Sequence, residues 1–153
     1  MLRRTRTPMP ARRGGAALIE SVAVMLIFLA LFFGVMEYCL IIFTQQVATN
    51  ASREGVRFAV VNLGTPSLEP NTYLVVDKFM VGVQNRLKNY TRVLYQADAS
   101  GNSLGVNSAE PAPYGAYLVV QIDYDYNPIL PSMFFLNKTF HVTTRTCMCN
   151  EGN

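Results

Sequence analysis

Sixteen consecutive residues, Ser21 to Met36, carry no charge, and they lie inside a longer apolar run from Ala16 to Phe43 interrupted only by Glu20, Ser21 and Glu37. At 1.5 Å per residue such a run makes a helix of roughly 42 Å, against roughly 30 Å for the hydrocarbon core of a bilayer. One membrane-spanning helix is therefore the strongest expectation. The chain has 153 residues, half of them hydrophobic, which suffices for this span and one modest domain but leaves little material for a second core.

The formal charge of +3 is unevenly placed. Arg3, Arg4, Arg6, Arg12 and Arg13 precede Ala16 without any acid, and from Ala16 onward 8 basic residues face 10 acidic ones. A surface that grips nucleic-acid phosphates should be basic on the folded part, so no nucleic-acid partner is expected. The arginines read as a topology signal that holds residues 1–15 in the cytoplasm as a basic leader. A single-pass protein of the cytoplasmic membrane, with its C-terminal domain outside, follows.

Glu20 poses a problem, because a carboxylate in apolar surroundings costs several kcal/mol unless it is paired or reaches the membrane edge. Glu20 and Glu37 lie about 26 Å apart along a helix, so they can sit near opposite boundaries of the lipid. An ordinary secretory signal has a shorter apolar region followed by a small-residue cleavage site; here the glycines Gly14 and Gly15 come before the span. Cleavage after Gly15 would make Ala16 the new amino terminus and Glu20 its fifth residue. That arrangement resembles the prepilin signal, which implies a prepilin peptidase as processing enzyme and a neighbouring subunit's amino terminus as the partner of Glu20. An uncleaved anchor, with Glu20 among the headgroups, is the alternative.

Past Phe43 the chain turns polar without a proline, so the helix is expected to continue over residues 44–62 and to end before Pro66, at the breakers of Asn62 to Pro66. Ala48, Ser52, Gly55 and Ala59 form a ridge of small residues that admits another backbone closely. Arg53 and Glu54 are neighbours and do not face each other; subunit contact and a solvated face both fit them. The stretch from Gly15 to Val60 resembles the amino-terminal signature of the TadE-like pseudopilins of tight-adherence pilus systems. The likeness rests on Gly15 to Glu20, on Gly34 and Glu37, and on the Ser52-Arg53-Glu54-Gly55 element, in which Ser52 stands where alanine is usual. The resemblance implies a minor pseudopilin or assembly subunit that acts through helix packing. Its partners would be other pilins or pseudopilins, inner-membrane pilus assembly proteins and membrane lipid. A single-pass envelope protein with an outer adhesion or binding module is the other reading.

Residues 67–153 read as a small α+β domain, pilin-like in combination with the long helix. Val75, Phe79, Val83 and Leu87 recur every four positions and predict an amphipathic helix from Asn71 to Tyr90. Strands are expected over Thr91 to Asp98, Ala116 to Tyr126 and Lys138 to Cys147, the last two adjacent and antiparallel. In the second, Leu118, Val120, Ile122, Tyr124 and Tyr126 share the buried face. Asp123 and Asp125 lie opposite as solvated or edge-defending carboxylates, without a third metal ligand. Residues 97–113 read as a surface loop, and the proline-bearing loop with Ile129, Leu130, Met133, Phe134, Phe135 and Leu136 is expected to fold back over the sheet.

Chemistry is sparse. His141 has no catalytic motif around it, Ser21 and Cys39 lie in the span without an orienting base, and no phosphate loop or zinc-hydrolase motif occurs. Neither enzymatic activity nor a cofactor is expected. Cys147 and Cys149 are open to disulfide formation outside the cytoplasm, but a bridge between them would close a very tight ring, so pairing across chains and free thiols both remain.

Overall fold

A computed structural model of the chain describes residues 14–105, 112–128 and 139–151. The elements in order are helix α1 (Gly14–Val61), helix α2 (Leu68–Met80), a 3₁₀ turn (Gln84–Arg86) and strands β1 (Leu87–Ala97), β2 (Tyr117–Tyr126) and β3 (Phe140–Cys149). This is the expected α+β plan of a long apolar helix followed by a small helix and an antiparallel sheet. The chain divides into two compact units, one ending at Met36 and one beginning at Glu37.

In the first unit, residues 14–36 are helix throughout. Large apolar side chains stand exposed all around it, Leu18 at 69%, Ile19 at 74%, Ile27 at 64% and Leu31 at 66%. No face is set aside for a protein core, so the cylinder is built for an apolar solvent. Ser21 settles its hydroxyl locally by donating to the Ala17 carbonyl at 2.8 Å, as a polar group must where water is absent.

The second unit is organised by the rest of α1. Ala48, Ala51, Ser52, Val56 and Ala59 are fully buried. They pack with Leu68, Val76 and Met80 of α2 and with Leu94, Leu118, Val120, Ile122 and Tyr124 of the sheet in one core. The sheet order is β1-β2-β3, antiparallel throughout. The expected alternation on β2 holds: Leu118, Val120, Ile122, Tyr124 and Tyr126 are all buried. Val119 is buried too, in a small second cluster with Tyr95 and Ala97 on the other side of the sheet.

α2 ends ten residues sooner than the apolar spacing predicts. Its buried stripe is Leu68, Thr72, Val76 and Met80, and the chain then turns at Gly82, whose φ is +89°, a conformation open to glycine and costly for other residues. Val83 falls in the turn, while Leu87 and Tyr90 belong to β1. β1 thus starts four residues before the expected strand, with a register shift between Lys88 and Thr91 where Asn89 takes a positive φ of 50°. Asparagine is among the few residues that tolerate such a position.

α2 covers the outer edge of β1. The Tyr73 hydroxyl accepts a hydrogen bond from the Leu94 amide at 3.3 Å and donates to Glu69 at 2.6 Å. Arg92 pairs with Asp77 at 3.0 Å and stacks over the rings of Tyr73 and Tyr90. Burial raises the pKa of Tyr73 to about 12. Asp123 and Asp125 do not defend an edge, because β2 is the central strand. Both carboxylates are engaged across the sheet: Asp123 accepts from Gln121 and Thr143, and Asp125 contacts His141 and Asn89. β3 runs two residues later than expected, so both terminal cysteines lie within it. The apolar residues Ile129, Leu130, Met133, Phe134, Phe135 and Leu136 fall outside the described residues, as do residues 1–13 of the basic leader.

Candidate functional site: the first long helix

The candidate residues of α1 fall into three groups. Gly15, Ala16 and Glu20 occupy its first turns. All three are exposed, and Glu20 has no hydrogen-bond or ion-pair partner among the described residues. Ala16 and Glu20 are four apart and share a helix face. A free amine created at Ala16 and the Glu20 carboxylate would thus be presented on the same side of the helix.

Gly34 and Glu37 form the second group. A methyl group added at Gly34 would meet nothing within 4 Å, so this small residue leaves an open notch on the helix. Glu37 accepts a hydrogen bond from the Tyr126 hydroxyl at 2.7 Å. This contact, across 89 residues of sequence, gives the second glutamate of the apolar run a polar partner at the last residue of β2. Burial first, and then the carboxylate beside it, push the Tyr126 phenol well above its ordinary pKa.

The third group is Ser52, Arg53, Glu54 and Gly55. Ser52 and Gly55 face this chain's own core. The Ser52 and Thr146 hydroxyls are 2.6 Å apart, tying α1 to β3. A Cβ at Gly55 would lie 2.5 Å from Cγ2 of Val76 and 3.6 Å from Val120. The close approach foreseen for this ridge is therefore made by α2 and β2 of the same chain. Arg53 and Arg57 remain exposed and Glu54 is half-buried. The sequence could not name Tyr126, Thr146 and Val76 as the partners of these positions; strand alternation placed Tyr126 on the inner face, but nothing local linked it to Glu37.

Residues 15–57 match the family model described as TadE-like protein. That segment is TadE-like. The match begins at the glycine before Ala16 and ends just beyond the Ser52 to Gly55 element, so it takes in all three groups. No curated protein and no solved structure matches the chain. The matched segment lies in α1, which among the described residues is the one helix long and apolar enough to cross a membrane.

Cys39, Cys147 and Cys149 are free thiols. Cys147 and Cys149 are two apart on β3 and point to the same side of the sheet, Cys147 exposed and Cys149 half-buried. Desolvation raises the pKa of Cys147, with Cys149 and Asp98 adding to it, so this thiol is not activated as a nucleophile.

Proposed function

We propose that the chain is a minor pseudopilin or membrane-anchored assembly subunit of a tight-adherence pilus, processed after Gly15 and acting by helix packing. The observation that carries this reading is the TadE-like helix with Glu20, unpartnered among the described residues, near the start of a largely exposed apolar cylinder. In a bilayer, that carboxylate is costly alone and stabilised by an amine brought close to it. The amine at Ala16 of a neighbouring pilin or pseudopilin would supply this charge when helices bundle, and Gly34 would let two helices approach closely. The basic leader would keep the amino terminus in the cytoplasm and place the sheet domain outside. There the exposed Arg53 and Arg57 are available to other pilins or to inner-membrane assembly proteins. The energy for any fibre extrusion would come from those other components.

The test is the mass and amino-terminal sequence of the membrane-expressed protein, in cells with and without the prepilin peptidase. Processing predicts a chain that begins at Ala16 only when the peptidase is present. Retention of Met1 to Gly15 in both strains would rule out a processed pilin and leave an uncleaved envelope anchor.

A further inference from the structure

Within the second unit, a cleft of about 470 Å³ opens beside the last apolar turn of α1. Leu40, Phe43 and Thr44 form one wall; Gly82 and Arg86 form another; Tyr126 closes the end. Its depth relative to the membrane follows from the helix itself. Leu40 and Thr44 lie three and seven residues beyond Glu37, or roughly 5 and 10 Å along the axis. A headgroup layer is roughly 5–8 Å thick on each side of the hydrocarbon. With Glu37 at the hydrocarbon boundary, the Leu40 end of the cleft stands at headgroup level and its Thr44 end just beyond it.

The lining suits a molecule that is apolar at one end and anionic at the other. Leu40 and Phe43 belong to the apolar run that ends at Phe43, and Phe43 is 57% exposed. Outside the lining but next to Gly82 in the chain, Val81 is 75% exposed, and Phe79 near the end of α2 is 46% exposed, two bare apolar side chains that a water-facing helix end does not need. Arg86 is exposed and makes no ion pair among the described residues, so its guanidinium is available to a phosphate. Lys88, two residues on, is exposed as well but does not line the cleft, whose end at Tyr126 adjoins the Glu37 carboxylate.

We infer that this cleft seats the headgroup of an anionic phospholipid, its phosphate against Arg86 and its acyl chains along Leu40 and Phe43. The inference rests on α1 spanning the membrane, and it goes beyond pilus assembly by giving the domain a fixed seat on the bilayer. A guanidinium held at the surface favours anionic over zwitterionic lipid, while the apolar side chains of Val81 and Phe79 anchor the turn after α2 in the interface.

The full chain, reconstituted in vesicles of phosphatidylcholine and phosphatidylglycerol, is extracted gently and its retained lipids are identified by native mass spectrometry. Phosphatidylglycerol should be retained in preference, and Arg86→Gln should reduce that preference roughly fivefold. Arg86→Lys should restore most of it, because the charge remains, and Lys88→Gln should leave it nearly intact, because Lys88 does not line the cleft. Equal retention of the two lipids, or an unchanged preference in Arg86→Gln, would overturn the assignment. So would displacement of the lipid by millimolar inorganic phosphate, which would mark a site for a free anion. Resistance of the reconstituted chain to carbonate extraction is read separately: its loss would remove the membrane span and this inference together, whereas a resistant chain without lipid preference removes only the headgroup seat.

Discussion

The two ends of α1 are one continuous helix designed for different surroundings. Up to Met36 most of its large apolar residues are exposed, with Val22, Met25 and Phe28 all at least 60% exposed. From Ala48 to Ala59 the helix presents small residues at 0% exposure to a sheet. Leucine and phenylalanine suffice where lipid chains fill every gap, because a fluid solvent adapts its shape. A sheet cannot adapt, and interiors are packed as closely as molecular crystals, so the second half must be narrow where β2 and α2 touch it. Small residues therefore mean different things at the two ends: Gly34 is an open notch, and Gly55 is a filled contact.

Matched substitutions at those glycines are the sharpest way to break the comparison. Gly55→Leu should lower the unfolding free energy by about 3 kcal/mol, the upper end for overpacking a filled core. The obstructing atom belongs to Val76, whose side chain is β-branched and held near one rotamer on a helix. Gly34→Leu should leave the denaturant midpoint of the domain unchanged, since nothing within 4 Å opposes the added atoms. Its effect should appear only in helix–helix association. Chemical denaturation in mild detergent, followed by near-ultraviolet circular dichroism, measures both; equal losses would mean that both halves are packed against protein.

Legibility in the sequence follows the same division. The span was readable because sixteen uncharged residues need no partner to declare themselves, and β2 was readable because Leu118 to Tyr126 alternate. The small-residue ridge was readable as a contact, but its partner was not: Val76 and Val120 are brought to Gly55 by the tertiary fold. The end of α2 was masked because Val83 and Leu87 happen to continue a four-residue spacing that stops in the fold at Met80; Gly82 was the local sign of the break. The Glu37 to Tyr126 contact had no local sign at all.

That contact provides the next test, at the point where the apolar run gives way to the domain. Tyr126→Phe removes the donor and leaves Glu37 without this hydrogen bond, at a cost of about 1.5 kcal/mol for a bond to a charged acceptor. The pH dependence has a definite sign. Because the Tyr126 pKa is raised from its ordinary 10.0, the folded state holds this proton more tightly than the unfolded chain does. Its contribution is complete below pH 10 and is lost as the pH rises through the higher folded value. Tyr73 and Tyr124, raised by burial to about 12, lose stability in the same direction. The phenylalanine variant should therefore start from a lower midpoint and fall less steeply in alkali. A slope identical to that of the parent would show that Tyr126 is not held by Glu37 in solution.

The smallest effect is expected on the far side of the sheet, at Asp125. Its carboxylate lies 2.8 Å from Nδ1 of His141 and accepts from Asn89 at 2.6 Å, with its pKa lowered by the hydrogen bond from His141 first and by Asn89 next. A lowered carboxylate contributes above its ordinary pKa of 3.8 and loses that contribution as the pH falls toward the folded value. Water screens the pair, however, since His141 is 67% exposed, and exposed ion pairs add little. Asp125→Asn should leave the melting temperature at neutral pH within repeat scatter and flatten its decline only in acid. A large loss at neutral pH would mean that this face is covered in the assembled state of the protein. The lipid-facing helix would then share its dependence on a partner with the sheet, and the contrast between the two regions would be one of solvent alone.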